Sequence, residues 1–189
     1  MLGVSEHSVG IIELLNDIET IINTNLRVIH NAKSRWDYFA DVCVCSLSAV
    51  PLEFEAIRKA ILEAKARDTR SRFITEITKE SISYTKEFMK IVELRHLDGV
   101  KGNFGVCDSE YIAISTTGTS QDEPKSVPHA VYSNKRGDVQ QHQFIFGILW
   151  TKAIPAEQRN RKIEESVQPV STRVLEDVSN YQQNKMPKL

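Results

Sequence analysis

The run from Leu94 to Asp108, "LRHLDGVKGNFGVCD", leads straight into Ser109–Thr116, "SEYIAIST". His96, Asp98, Lys101, Asn103 and Asp108 crowd around glycines between apolar residues. Three β-forming pieces, "LRHL", "NFGVCD" and "EYIAIST", are separated by Asp98-Gly99 and by Asp108-Ser109-Glu110, both favourable for tight turns. The stretch reads as a meander of short strands. Alternation along a strand sends Arg95 and His96 to opposite faces, so only one of them can address a given pocket. No spacing here completes a reaction centre.

Working outward, "RSRFITEI" before this meander reads as a strand, and Thr78 is placed to cap a helix over "KESISYTKEFMKIVE". Further upstream, Pro51 starts the helix "PLEFEAIRKAILEAKARD", and "RWDYFADVCVCS" holds a strand over about Trp36 to Cys45. Apolar residues Ile11, Ile12, Leu14, Leu15, Ile18, Ile21, Ile22 and Leu26 recur at three and four, which predicts an N-terminal helix from about Ser8 to Ala32.

Downstream, the polar loop "TGTSQDEPKSVP" leads to a strand "HAVYS". Ser133 or Asn134 then caps a helix whose inward stripe is Val139, His142 or Gln143, Phe146, Leu149, Trp150 and Ala153. Pro155 starts a last helix, "PAEQRNRKIEESV", polar at nearly every position and expected to face solvent or await a partner. This alternation predicts an α/β fold with a mixed sheet flanked by helices, including N-terminal and C-terminal ones. Residues 1–153 form the expected domain, and residues 154–189 a polar helix and tail whose removal should leave the core folded.

The 189 residues suffice for one sizeable core. With 24 basic and 25 acidic side chains the net charge is -1, so no overall field draws the chain to nucleic acid. No apolar run reaches the roughly 20 residues of a membrane span, and the N-terminus lacks the pattern of a signal peptide. Three cysteines, an odd number without an export signal, point to reduced thiols in a cytoplasm. Cys43 and Cys45 share one face of their strand, where a soft metal or redox role competes with simple burial; no second cysteine pair completes a zinc site. The five histidines show no metal-ligand spacing. Phosphate loops, dinucleotide-binding glycines and a nucleophile elbow are all missing, and no cofactor is expected.

The segments "RFITEITKESISYTKEFMKIVELRHLDGVKGNFGVCDSEYIA", "AVYSNKRGDVQQHQFIFGILWTKAIPAEQ" and "KIEE" resemble the N-terminal sensor region of archaeal sensor histidine kinases, from about Leu14 to Glu165. The resemblance implies a phospholipase-D-like α/β module, similar also to the effector-binding half of archaeal sugar-responsive transcription regulators. Active phospholipase-D-like enzymes carry His-x-Lys-x-x-x-x-Asp, in which His attacks phosphorus and Lys holds phosphate oxygens. Laid on the meander, that pattern puts Lys101 at the His position, Asn103 at the Lys position and Asp108 at the Asp position, with Ser115, Thr116 and Thr117 following. A protonated lysine and a neutral amide supply neither nucleophile nor clamp.

The resemblance therefore implies a non-catalytic sensory or ligand-binding module of two-component signalling. Its partners would be an unknown small molecule and either a second copy or a full-length sensor kinase. Ligands of open α/β sheets collect outside the carboxyl ends of the strands. The candidate residues there are Cys45 and Ser46 (with Ser48) after the first strand, Thr75 and Glu76 (with Thr78) after the second, His96 and Asp98 after the third, and Lys101 and Asn103 of the hairpin. As turn and cap formers the same residues need no ligand. The rival reading is a residual phosphodiesterase that uses His96 in a dimeric site. In the kinases a passage similar to "EESVQPVSTRVLED" leads on to further domains, whereas "NYQQNKMPKL" closes this sequence; the expectation is a free-standing sensor or a truncated product.

Overall fold

The computed structural model describes residues 10–41, 51–115 and 129–167. Among these residues one mixed eight-stranded sheet runs in the order β1-β7-β6-β5-β2-β3-β4-β8. The strands are β1 (Ile12–Leu15), β2 (Arg35–Ala40), β3 (Arg70–Thr75), β4 (Glu93–His96), β5 (Asn103–Cys107), β6 (Tyr111–Ser115), β7 (His129–Ser133) and β8 (Ile154–Pro155). β2, β3 and β4 are parallel neighbours, and every other pairing is antiparallel. The helices are α1 (Ile18–Asn31), α2 (Pro51–Ala66), α3 (Ile82–Phe88), α4 (Arg136–Lys152) and α5 (Ala156–Val167). The α/β plan with a mixed sheet is the one expected.

Alternation divides the core between two sheet faces. Trp36, Tyr38, Phe73, Leu94 and Ile112 point to one face, where α1, α2, α3 and α5 cover them with Ile21, Val28, Ile61, Phe88 and Ile163. Phe39, Ile74 and Val106 point to the other, against Val139, Phe146 and Trp150 of α4. Under α4 lies a buried ion pair. Arg72 Nε and Nη2 each donate to Asp37 at 2.7 Å, and Arg35 Nε lies 2.9 Å from the same carboxylate. The Arg72 guanidinium stacks 5.0 Å from the rings of both Phe146 and Trp150. Arg95 sits 4.4 Å over Trp150 and donates to its carbonyl.

The expected N-terminal helix is corrected. Asp17 caps α1 by accepting the Thr20 N–H at 2.8 Å, and the residues before it form β1, antiparallel to β7. The apolar spacing through Ile11–Leu15 fits either element locally; the free margin of β7 decides for the strand. Thr78 does not cap a helix over 79–93. Its N–H donates to Ser81 Oγ at 3.0 Å in a turn, and α3 starts only at Ile82. The alternative left open on α4 resolves in favour of both residues: His142 stacks on Tyr111, and Gln143 donates to the Cys107 carbonyl. Ser133 accepts the Lys135 N–H at the start of α4, while Asn134 Oδ1 accepts the Ile11 N–H instead.

The last helix does not face solvent on all sides. β8 adds to β4, and Ala156, Asn160 and Ile163 bury one stripe of α5. The described part of the 154–189 segment is thus built into the main core. The second half of the strand predicted to Cys45, with Cys43, Cys45, Ser46 and Ser48, lies outside the described residues, as do Thr116 and Thr117.

Candidate functional site

Three predicted residues meet at the carboxyl ends of the parallel strands. Thr75 pairs with His96 across β3 and β4, and Ala40 pairs with Thr75 across β2 and β3. Asn103 stands beside Ala40, one step beyond the Phe39–Phe104 pair, and its Oδ1 accepts the Asp41 N–H at 3.1 Å. Asn103, Ala40, Thr75 and His96 therefore form a transverse row on the sheet face that carries the main core, and all are buried. Asn103 Nδ2 has no hydrogen-bond partner, an exception to the general rule for buried donors.

The other predicted residues surround this row less tightly. Glu76 accepts the Gly99 N–H at 3.2 Å and so ties the β4–β5 loop to the end of β3. Gly99 and Gly102 turn that loop at φ of 70° and 85°, conformations that a side chain resists. Asp98 is exposed, and Lys101 is exposed without an ion pair among the described residues. Cys45 and Ser46 lie outside the described residues.

His96 carries the most chemical information. Its side chain is 2% exposed, and its Nδ1 accepts the Ile77 N–H at 2.9 Å. The ring lone pair is therefore committed, the proton sits on Nε2, and Nε2–H donates to Asp98 at 3.1 Å. Burial pushes the imidazole below its ordinary value of 6.5; the nearby Arg159 guanidinium acts in the same direction, against weaker pulls from Asp98 and Glu76. The neutral ring is built into the fold.

This fixes the sign of a pH dependence. The folded protein binds the His96 proton less readily than the unfolded chain, so the stabilisation is complete above about pH 6.5 and is lost as pH falls toward the folded value. The slope for one proton is at most about 1.4 kcal/mol per pH unit. Urea unfolding at pH 7.5 and 5.5 should show this loss, and His96→Gln should lose less over the same interval. Parallel pH responses in the two proteins would mean that His96 is not the titrating group.

The sequence missed Arg159. It arises on the helix expected to face solvent, yet its Nε donates to the Ile77 carbonyl at 3.1 Å. Ile77 thus carries His96 on its N–H and α5 on its carbonyl. The spacing Ala156, Asn160, Ile163 held the signal for that inward stripe. Asp108 sits at the opposite end of β5 from Asn103 and accepts the N–H groups of Lys33 and Ser34, at 2.7 and 2.9 Å, together with the Ser34 hydroxyl. Burial would raise its pKa, but these hydrogen bonds outweigh burial and hold the carboxyl below its usual range. Its role in the structure is to brace the α1–β2 loop.

Among the described residues no His, Cys, Asp or Glu group is arranged to hold a metal ion, and no helix is long and apolar enough to cross a membrane.

No family model matches the chain, and no curated protein is similar to it. Solved structures are. NucT from Helicobacter pylori superposes with a TM-score of 0.56 at 10% identity, over 78% of this chain and 99% of that one. Nuc from Salmonella typhimurium, a phospholipase D family member, gives 0.54 at 14% identity, over 78% and 98%. TrmBL2, an archaeal chromatin protein described with a novel mode of DNA binding, gives 0.52 at 16% identity, over 76% of this chain and 53% of that one. The chain thus spans about half the length of the chromatin protein. At these identities the likeness concerns architecture, and the architecture of this chain is the phospholipase-D-like α/β fold.

Proposed function

We propose that this chain is a non-catalytic, cytoplasmic sensory module on the phospholipase-D-like fold, acting in two-component signalling by binding a small ligand at the carboxyl ends of β2, β3 and β4. The observation that carries the reading is the commitment of His96. A phosphohistidine mechanism needs a ring nitrogen with a free lone pair facing phosphorus. Here Nδ1 accepts a backbone N–H and Nε2 holds the proton. Lys101 and Asn103 occupy the places where the resemblance would require the nucleophile and the clamp, and neither chemistry suits those places.

The same hydrogen bonds suit a transmitting role. A ligand that disturbs the row beside His96 acts on Ile77, and Ile77 holds Arg159 of α5. α5 is then the element that reports occupancy to a second copy or to a sensor kinase. The sensory body and the transmitting helix share one core.

The test is hydrolysis of bis(p-nitrophenyl) phosphate by the full chain. The expected result is no product above the blank, with His96→Ala indistinguishable from the parent. Turnover that His96→Ala abolishes would overturn the reading in favour of a residual phosphodiesterase on the same fold.

A further inference from the structure

A second concave site lies at the other end of the sheet, outside the amino ends of β2 and β3. It is a cleft of about 740 Å³, bounded by the C-terminus of α1, the α2–β3 turn, the β5–β6 turn and the residue after β7. That volume lies within the range of about 300 to 1,000 Å³ common to small-molecule sites. The proposed sensory function makes no use of it.

Its floor is a fixed set of acceptors. Glu110 is buried, and its two oxygens accept the Tyr132 hydroxyl at 2.6 Å and Asn31 Nδ2 at 2.8 Å. Burial first, then the Glu110 hydrogen bond and charge, push the Tyr132 phenol up to about 12, so it stays a donor to Glu110. Each carboxylate oxygen keeps a lone pair, with Arg27 Nε 3.9 Å from one of them, and Asn31, which gives one Nδ2 hydrogen to Glu110, keeps its amide oxygen as an acceptor. The rim has the opposite character. Among the described residues neither the Lys33 ammonium nor the Arg67 guanidinium has an ion pair, and Arg67 gives one Nη2 hydrogen to the His30 carbonyl at 3.1 Å. Asn134 adds a free NH2, because its oxygen is taken by Ile11.

We infer that this cleft binds a small phosphate monoester bearing hydroxyl groups, with the phosphate at Lys33 and Arg67 and the hydroxyls donating to Glu110 and Asn31. A flexible ammonium and a planar guanidinium, neither ion-paired among the described residues, fit a dianionic head group, and a rigid buried carboxylate fits hydroxyl donors. Neither half suits an apolar ligand.

Isothermal titration calorimetry on the full chain tests this with adenosine 5'-monophosphate, adenosine and inorganic phosphate as probes. The monophosphate should bind, adenosine should bind at least about tenfold more weakly, and inorganic phosphate should compete with the monophosphate while binding less tightly itself. Lys33→Glu reverses a charge on an exposed side chain without an ion pair, so it should fold normally and weaken the monophosphate at least about tenfold. Lys152→Glu, on an exposed side chain at the other end of α4 from Asn134, should leave that affinity unchanged. Failure of the monophosphate to bind, or equal binding by Lys33→Glu, would overturn the inference; an equal loss in Lys152→Glu would overturn it too, because the effect would then be one of overall charge. Phosphate that binds as tightly as the monophosphate would remove the role of Glu110 and Asn31. The phosphodiester assay reads a different site, so either proposal can fail without the other.

Discussion

Arg72→Met is expected to destabilise the fold by about 3 to 5 kcal/mol, read as a shift of the guanidinium unfolding midpoint at constant slope. The reason is the carboxylate left behind. Asp37 is 0% exposed, and Arg72 satisfies both of its oxygens in a parallel fork. Arg35 reaches one oxygen from a more exposed position and will recover part of the loss, which favours the lower end of the range. Methionine keeps apolar volume against Phe146 and Trp150, so the measured loss reports mainly the stranded charge. Adding Asp37→Leu to the same chain should restore most of the stability, because an apolar pair can replace a buried ion pair at little cost. A loss below about 1 kcal/mol in the single variant would mean that Arg35 alone suffices for Asp37.

A chain ending at Ala153 should lose at least about 5 kcal/mol, most of the stability of a domain this size, and fail to give a cooperative melt. The cut removes the ladder between β4 and β8, uncovers the core residues that Ala156 and Ile163 touch, and frees the Ile77 carbonyl. It also breaks the ion pair between Lys86 and Glu164, though that exposed pair contributes little. Ile163→Ala by itself should cost about 2 kcal/mol, the low end for a buried isoleucine close to the surface. Circular dichroism melts of both variants measure this. A truncated chain that melts cooperatively within a few degrees of the parent would restore α5 to the status of an appendage, and the transmission route through Ile77 would fall with it.

Local pattern carried much of the architecture. The turn residues at Asp98-Gly99 and Asp108-Ser109-Glu110 placed β4, β5 and β6, and alternation put Arg95 and His96 on opposite faces; the structure adds that the face of Arg95 is the one α4 covers. Two elements were illegible because non-local partners decide them. β1 has helix-compatible spacing and becomes a strand because β7 is free to pair with it. α5 has few apolar residues; the spacing of Ala156, Asn160 and Ile163 permits an inward stripe, but the core beside β4 that buries it is built from distant parts of the chain.

The site was partly legible for a similar reason. Strand ends could be found from turns, which brought Thr75, His96 and Asn103 into one row. The state of His96 could not be read, because it depends on a backbone N–H at Ile77 and a guanidinium 63 positions along the chain from the ring. The cleft around Glu110 draws on four separate parts of the chain, so no contiguous motif announces it.

The pairing of β1 with β7 also bears on how the protein is made. The bond from the Ile11 N–H to Asn134 closes a loop of 123 residues, and β8 and α5 are added later still. Such distant pairings are slow to form, since loop-closure entropy is lost before the contacts repay it. During synthesis the first strand emerges long before its partner, with Ile12 and Leu14 unpaired. The growing chain must therefore keep an apolar edge unattached until β7 and Asn134 are out, and its folding rate should be governed by this late closure rather than by the early helices.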